Sequence, residues 1–259
     1  MRPGDIRDYF ALRRHLVHPW RFLRLRHRPF GGPFCDLRLR DGGTVRIRDA
    51  PMDRHIFHRI FARDEYGLNA VAPGAFDTVV DVGAHAGFFA VRAAPLARRV
   101  LCYEPIPANF DLLRRNVARF PHVRAHPLAI AAKRGTVRMF LSDNPSSHSM
   151  FPAEPGREGI EVPCIPLSEV FAEHAIERCD LLKLDCEGAE YEILYAVPEE
   201  LWRRIDRICM EVHPVAAGGK PWSAEGLVAH LGRVGHEARF HPSRRHPGKG
   251  HLFSVRKRA

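Results

Sequence analysis

Thr78-Val79-Val80-Asp81-Val82-Gly83-Ala84-His85-Ala86-Gly87-Phe88-Phe89-Ala90 is the stretch that decides the fold. Residues with strong strand preference run into an acid. Two glycines follow at Gly-x-x-x-Gly, and Phe88, Val91 and Leu96 then recur at helical spacing. This reads as a strand, a tight glycine turn and a helix. Such a unit presents backbone N–H groups at a helix N-terminus beside the C-terminal edge of a sheet. Gly83 lets the backbone approach a ligand closely. Asp81 is placed to hold the loop or to bind a ligand amine. The pattern is not the phosphate-binding G-x-G-x-x-G, and no P-loop lysine follows. An acid at the loop's mouth suits a cationic or zwitterionic nucleoside better than a pyrophosphate. S-adenosylmethionine, with its amine, carboxylate and sulfonium, is such a molecule.

Working outward, Val100-Leu101-Cys102-Tyr103 is a short apolar run ending at Glu104. In nucleotide-binding α/β folds an acid there takes the ribose hydroxyls. The pattern continues as strand 78–82, helix 87–97, strand 99–103, helix 107–119 and strand 122–128, with Leu128-Ala129-Ile130 after the third strand. Strand–helix alternation at this spacing predicts a parallel sheet with right-handed crossovers. A strand over 136–141 precedes Ser142–Gly159, rich in Ser, Pro and Gly. That segment is long for a plain connector and reads as a lid, a substrate loop or a disordered surface loop. Further strands are expected at 160–166, 179–184, 207–212, 237–241 and 251–256, with helices at 167–175, after 190, and at 223–234.

An open α/β sheet places its site outside the carboxyl ends of the strands. Two of the later strands end there in Asp185-x-Glu187 and Glu211-x-His213. One strand-end acid is usually a helix cap; two such pairs look like an acid/base or a cation site. His213 is the first choice for a base, because imidazole titrates near neutral pH. Glu211 is expected to orient it. Glu187 would share that task, or join Asp185 around a divalent cation, since clustered carboxylates suit hard cations.

The 259 residues, 45% hydrophobic and 27% charged, suit one large α/β domain with an extension. Residues 1–74 read as a basic helix, a hairpin over 34–48 and a helix over 53–66; residues 75–259 read as the main domain. The net charge of +10 sits at the two ends. Residues 1–30 hold eight Arg against two Asp, residues 231–259 sum to +7, and the middle is slightly negative. Residues 5–17 form a basic amphipathic pattern, so the N-terminal segment either contacts an acidic membrane surface or acidic partner, or packs on its own domain. Nucleic acid is not the expected ligand, since the middle of the chain has no basic stripe or aromatic platform. The six cysteines occur singly, with no C-x-x-C, which favours a reducing, cytoplasmic setting and gives no zinc signature. No apolar run is long enough to span a membrane, and the N-terminus lacks the apolar stretch of a secretory signal.

Asp81-Val82-Gly83-Ala84-His85-Ala86-Gly87, Tyr103-Glu104-Pro105, Leu182-Lys183-Leu184-Asp185-Cys186-Glu187-Gly188-Ala189-Glu190 and Glu211-Val212-His213-Pro214 together resemble the FkbM family of S-adenosylmethionine-dependent methyltransferases. The likeness covers about residues 36–214. It implies a Rossmann-like class I methyltransferase fold, an α/β structure whose mostly parallel seven-stranded sheet has its last hairpin inserted antiparallel. It also implies O-methylation of a sugar, glycan or natural-product hydroxyl. The cofactor is then expected along Asp81, Gly83, Ala84, His85 and Gly87, with Glu104, Ala129 and Asp185 completing its site. The chain departs from the family at His85, commonly Asn, at Ala90, commonly Thr or Ser, and at Ala132, often an acid. Backbone near Ala129 is therefore expected to meet the adenine. Two rivals remain, an RNA methyltransferase and a non-catalytic binding module on the same scaffold.

Overall fold

The computed structural model describes residues 3–140, 159–215, 222–243 and 248–257. The decisive stretch becomes β3 (Phe76–Val82), an interior strand of a seven-stranded sheet. From Thr78 onward every residue of β3 is buried, as expected of a strand covered by helices on both faces. On one side β3 pairs in parallel with β4 (Ala97–Tyr103), and β4 with β5 (Val123–His126). On the other side it pairs in parallel with β9 (Leu181–Leu184), and β9 with β10 (Arg207–Val212). Next to β10 lies β12 (Gly250–Arg256), antiparallel both to β10 and to β11 (His236–Pro242). The last hairpin thus inserts its second strand, β12, antiparallel between β10 and β11, in keeping with the sequence resemblance.

Helices α4 (Phe88–Ala93), α5 (Pro107–Val117), α6 (Leu167–Glu173), α7 (Glu190–Tyr195), the short α8 (Glu199–Trp202) and α9 (Ala224–Arg233) cover the sheet. Ser223 caps α9, its hydroxyl accepting from the Gly226 N–H at 3.0 Å. The expected helix 87–97 is α4 followed by a 3-10 turn at Ala94–Leu96, where Pro95 sits at the turn's start. The expected strand 122–128 is shortened to β5 (Val123–His126). After β5, Pro127 interrupts the ladder, and β6 (Ala129–Ala131) leaves for a second sheet with β7 (Gly135–Phe140) and β8 (Gly159–Pro166). Residues 142–158 of the expected lid lie outside the described residues.

Ahead of the sheet come α1 (Pro3–Leu12), α2 (Pro19–Leu25), the hairpin β1 (Phe34–Arg38) and β2 (Thr44–Arg48), and α3 (Pro51–Phe61). The helix expected over 53–66 stops earlier because Asp64 turns left-handed, with φ 51°. That turn sends Glu65 and Tyr66 out of the helix toward the main sheet. Phe57 and Phe61 of α3 stack on one another and pack with Phe88 in a core shared with α4. Helix α1 buries Leu12 in that core and packs Tyr9 against it. It buries Asp8, which pairs with Arg26 at 2.6 Å and His58 at 2.7 Å, while Ile6 and Phe10 stay exposed.

Candidate active site

The parallel strands end on one cavity of about 470 Å³. Gly83, Ala84 and His85 from the glycine turn, Glu104 from the end of β4, Ala129 from β6, and Asp185, Glu187 and Glu211 from the ends of β9 and β10 all line it. Its volume falls in the range of small-molecule sites. Met52 and Ile56 from α3, with Phe88 and Phe89, give it an apolar wall.

The glycine turn is built by its neighbours. Gly83 has φ 72°, and a Cβ there would lie 1.9 Å from the Asp185 carbonyl oxygen. Gly83 is therefore required by close packing of β9 as much as by a ligand. Gly87, with φ 78°, faces away from the cavity; a Cβ there would meet Leu113 of α5. Glu104 is 4% exposed and holds the turn. Its Oε2 accepts from the His85 N–H at 2.8 Å, and its Oε1 from the Ile106 N–H at 3.0 Å. A carboxylate offers about four lone-pair sites, so acceptor capacity remains for hydroxyl donors. The His85 ring lies 2.9 Å from Arg48, which is also paired with Asp53. Burial first, then Arg48, lower the His85 imidazole to about 4, so it is neutral at physiological pH.

Asp81 does not reach the cavity, contrary to its expected role on a ligand amine. It is fully buried against Lys183, with Nζ to Oδ1 at 3.0 Å, and the register sets the two residues directly opposite one another. The same ammonium donates to the Gly83 carbonyl at 2.7 Å. Burial opposes the Lys183 charge, but Asp81 and Asp185 outweigh it and raise the lysine above its ordinary value.

His213 also lies elsewhere than expected. It is 4% exposed and set behind the cavity wall, with Glu187 and Glu211 in front of it. Its orienting partner is Glu190, not Glu211: Nδ1 lies 3.0 Å from Glu190 Oε1. Since a carboxylate only accepts, Nδ1 carries the hydrogen. Burial would lower this imidazole, but Glu190, Glu187 and Asp185 raise it to about 9. An imidazole so raised is protonated at neutral pH and is a poor base there. Glu211 is held by Arg59 at 2.7 Å instead. Arg59 also pairs with Glu65, and His251 closes that group 2.6 Å from Glu65.

Asp185 does face the cavity, and the Tyr66 hydroxyl donates to its Oδ2 at 3.0 Å. Burial pushes the Asp185 carboxyl up, yet Lys183, His213 and Arg59 together with the Tyr66 hydrogen bond bring it to about 2. Glu187 goes the other way: burial, with Asp185 and Glu190 adding, raises it to about 7 against His213 and Lys249. Two carboxylates two residues apart thus differ sharply in acidity, a mark of functional sites.

Sequence reasoning missed Tyr66, Arg59, Lys183 and Glu190. Lys183 left a signal: a lysine inside the apolar run Leu181-Leu182-Lys183-Leu184 needs a buried carboxylate. Tyr66 and Arg59 left none, since they meet the site from residues more than a hundred positions away.

A sheet of this strand order, with its antiparallel strand between β10 and β11 and its cavity at the carboxyl ends of the parallel strands, is that of the class I methyltransferases. Within that class the chain belongs to the FkbM methyltransferase family: the model described as "Methyltransferase FkbM domain" matches residues 81–240. Methyltransferase sdnD of Sordaria araneosa is 29% identical over 192 residues, 60% of this chain and 73% of the relative. The 31-O-demethyl-FK506 methyltransferase FkbM of Streptomyces tacrolimicus is 29% identical over 212 residues, 69% of this chain and 82% of the relative. Among solved structures, Methyltransferase FkbM from Methylobacillus flagellatus KT aligns with a TM-score of 0.48 at 12% identity, over 78% of this chain and 53% of that one.

Proposed function

We propose that the protein is an S-adenosylmethionine-dependent O-methyltransferase acting on a hydroxyl of a sugar, glycan or natural-product acceptor. The observation that carries this is the shared cavity: the glycine turn and the acids ending β9 and β10 line one space. The backbone of Gly83–His85 takes the methionine side of the donor, Glu104 the ribose, and Ala129 the adenine. When bound, S-adenosylmethionine supplies a sulfonium methyl that passes to the acceptor oxygen, its C–S electron pair remaining on sulfur. Aligning that oxygen and removing its proton fall to the protein. The acceptor hydroxyl lies between the apolar wall of Met52, Ile56 and Phe89 and the carboxylates Asp185, Glu187 and Glu211, of which Glu211 or Glu187 receives the proton. The Streptomyces tacrolimicus relative, a 31-O-demethyl-FK506 methyltransferase by name, supports methylation at an acceptor oxygen.

Two measurements test the reading. S-adenosylhomocysteine should raise the thermal midpoint, and NAD should not. Methyl-labelled S-adenosylmethionine, incubated with the protein and a cell extract, should deliver label to the glycan or small-molecule fraction. Label confined to RNA would overturn the acceptor class, and protection by NAD alone would overturn the cofactor.

A peripheral role for α1 and α2 is part of this proposal. Exposed Ile6, Phe10 and Trp20 lie among exposed Arg7, Arg13, Arg21 and Arg24, a surface that suits anionic lipid headgroups.

A further inference from the structure

We infer that Asp185, Glu187 and His213 form a divalent metal site, matched to Mn²⁺. The inference deepens the methyl-transfer reading and rests on it for the ion's role. One donor atom from each of the three residues lies within 4.8 Å of the others. An acidic cluster alone would not carry this; the orientation of His213 does. Its Nδ1 is fixed by Glu190, which is fully buried and accepts from the Cys186 N–H at 3.0 Å and the Gly188 N–H at 2.9 Å. A carboxylate behind one ring nitrogen, leaving the other free to ligate, is how metal-binding histidines are held. The Nε2 atom has no hydrogen-bond partner among the described residues, although His213 is almost wholly buried. It points at Glu187 Oε2, 3.5 Å away, and Glu211 Oε1, 3.9 Å away. A cation seated among these carboxylates would take the place of the Nε2 proton and leave the ring nitrogen as a ligand.

The backbone of Glu187 adds a second sign. Its φ of 52° is one a non-glycine residue rarely adopts, and such strain gathers at ligand sites. A neighbouring group makes the contrast. Glu65, Glu211 and His251 also bring their donor atoms together, but there the Arg59 guanidinium already bonds Glu65, Glu211 and His251. A protein cation fills that group, so it is not a second metal site. Carboxylates with a single imidazole suit Mn²⁺ better than thiol-loving ions. An ion there would draw electron density from the acceptor hydroxyl and lower its pKa. The O–H electron pair would stay on the oxygen that gains the methyl, and the proton would pass to Glu211, which lines the cavity beside the ion.

The test uses the full chain, stripped with EDTA, exchanged into metal-free buffer and titrated with MnCl₂. The free-ion EPR signal reads binding without any reference to turnover. Wild type should remove one Mn²⁺ per chain from solution. His213→Ala and Glu187→Gln should abolish that uptake, and Glu190→Gln should weaken it about 10–100-fold. Glu65→Gln should bind as wild type does. Protection by S-adenosylhomocysteine, measured on each variant, certifies that it is folded. Folded wild type that leaves the Mn²⁺ signal undiminished overturns the site, as does equal uptake by His213→Ala. Protection without Mn²⁺ uptake overturns the ion and leaves the methyl-transfer reading standing. Uptake without protection overturns the methyl-transfer reading and leaves the ion's site in place.

Discussion

Lys183 and Asp81 meet inside the sheet, both almost fully shielded from water. Two buried charges persist only when each satisfies the other, and removing one partner leaves the second stranded. Lys183→Met should therefore destabilise the protein by about 3–5 kcal/mol, read as a lowered urea midpoint. Asp81→Leu combined with Lys183→Met should recover part of that loss. A single mutant as stable as wild type would mean the pair is not buried as described. The ammonium also holds the Gly83 carbonyl, so Lys183→Met should loosen the cofactor turn as well. At this scale the sequence was legible where a residue broke its local pattern, as lysine does in an apolar strand. It was misleading at His213, whose place behind the cavity depends on Glu190, a partner that strand and helix periodicity do not reveal.

Elements were legible wherever periodicity was strong. The core strands and the helices at 107–117 and 224–233 fall within a few residues of their expected bounds. The departures have local causes: Pro127 ends the third strand early, and the left-handed Asp64 ends α3 early. That early end matters for the site, because it frees Tyr66 to reach Asp185. Helix α1 was legible in composition but not in orientation. Its acid faces inward on Arg26 and His58, and its apolar Ile6 and Phe10 face solvent. Vesicles containing phosphatidylserine should float the wild type and should float Ile6→Ser/Phe10→Ser much less, with neutral vesicles floating neither. Equal flotation of the two proteins would leave α1 as packing on its own domain only. Among the described residues no helix is long and apolar enough to cross a membrane.

At the scale of the whole molecule, the first 74 residues and the main sheet share one site. Arg59 holds Glu211 of β10, and Tyr66 holds Asp185 after β9. The sequence suggested a basic extension ahead of a self-contained catalytic unit, because composition records charge and not contact. Strand order carries a different consequence, one that concerns the time at which the sheet can be completed. β12 follows β11 in the chain yet lies between β11 and β10. While the ribosome has not yet delivered Gly250–Arg256, Arg207–Val212 has a bare edge and β11 has no partner. An exposed strand edge recruits other chains. Nascent chains arrested after Lys249 should bind chaperones and aggregate on release, whereas chains arrested far enough beyond Arg256 for β12 to clear the exit tunnel should not.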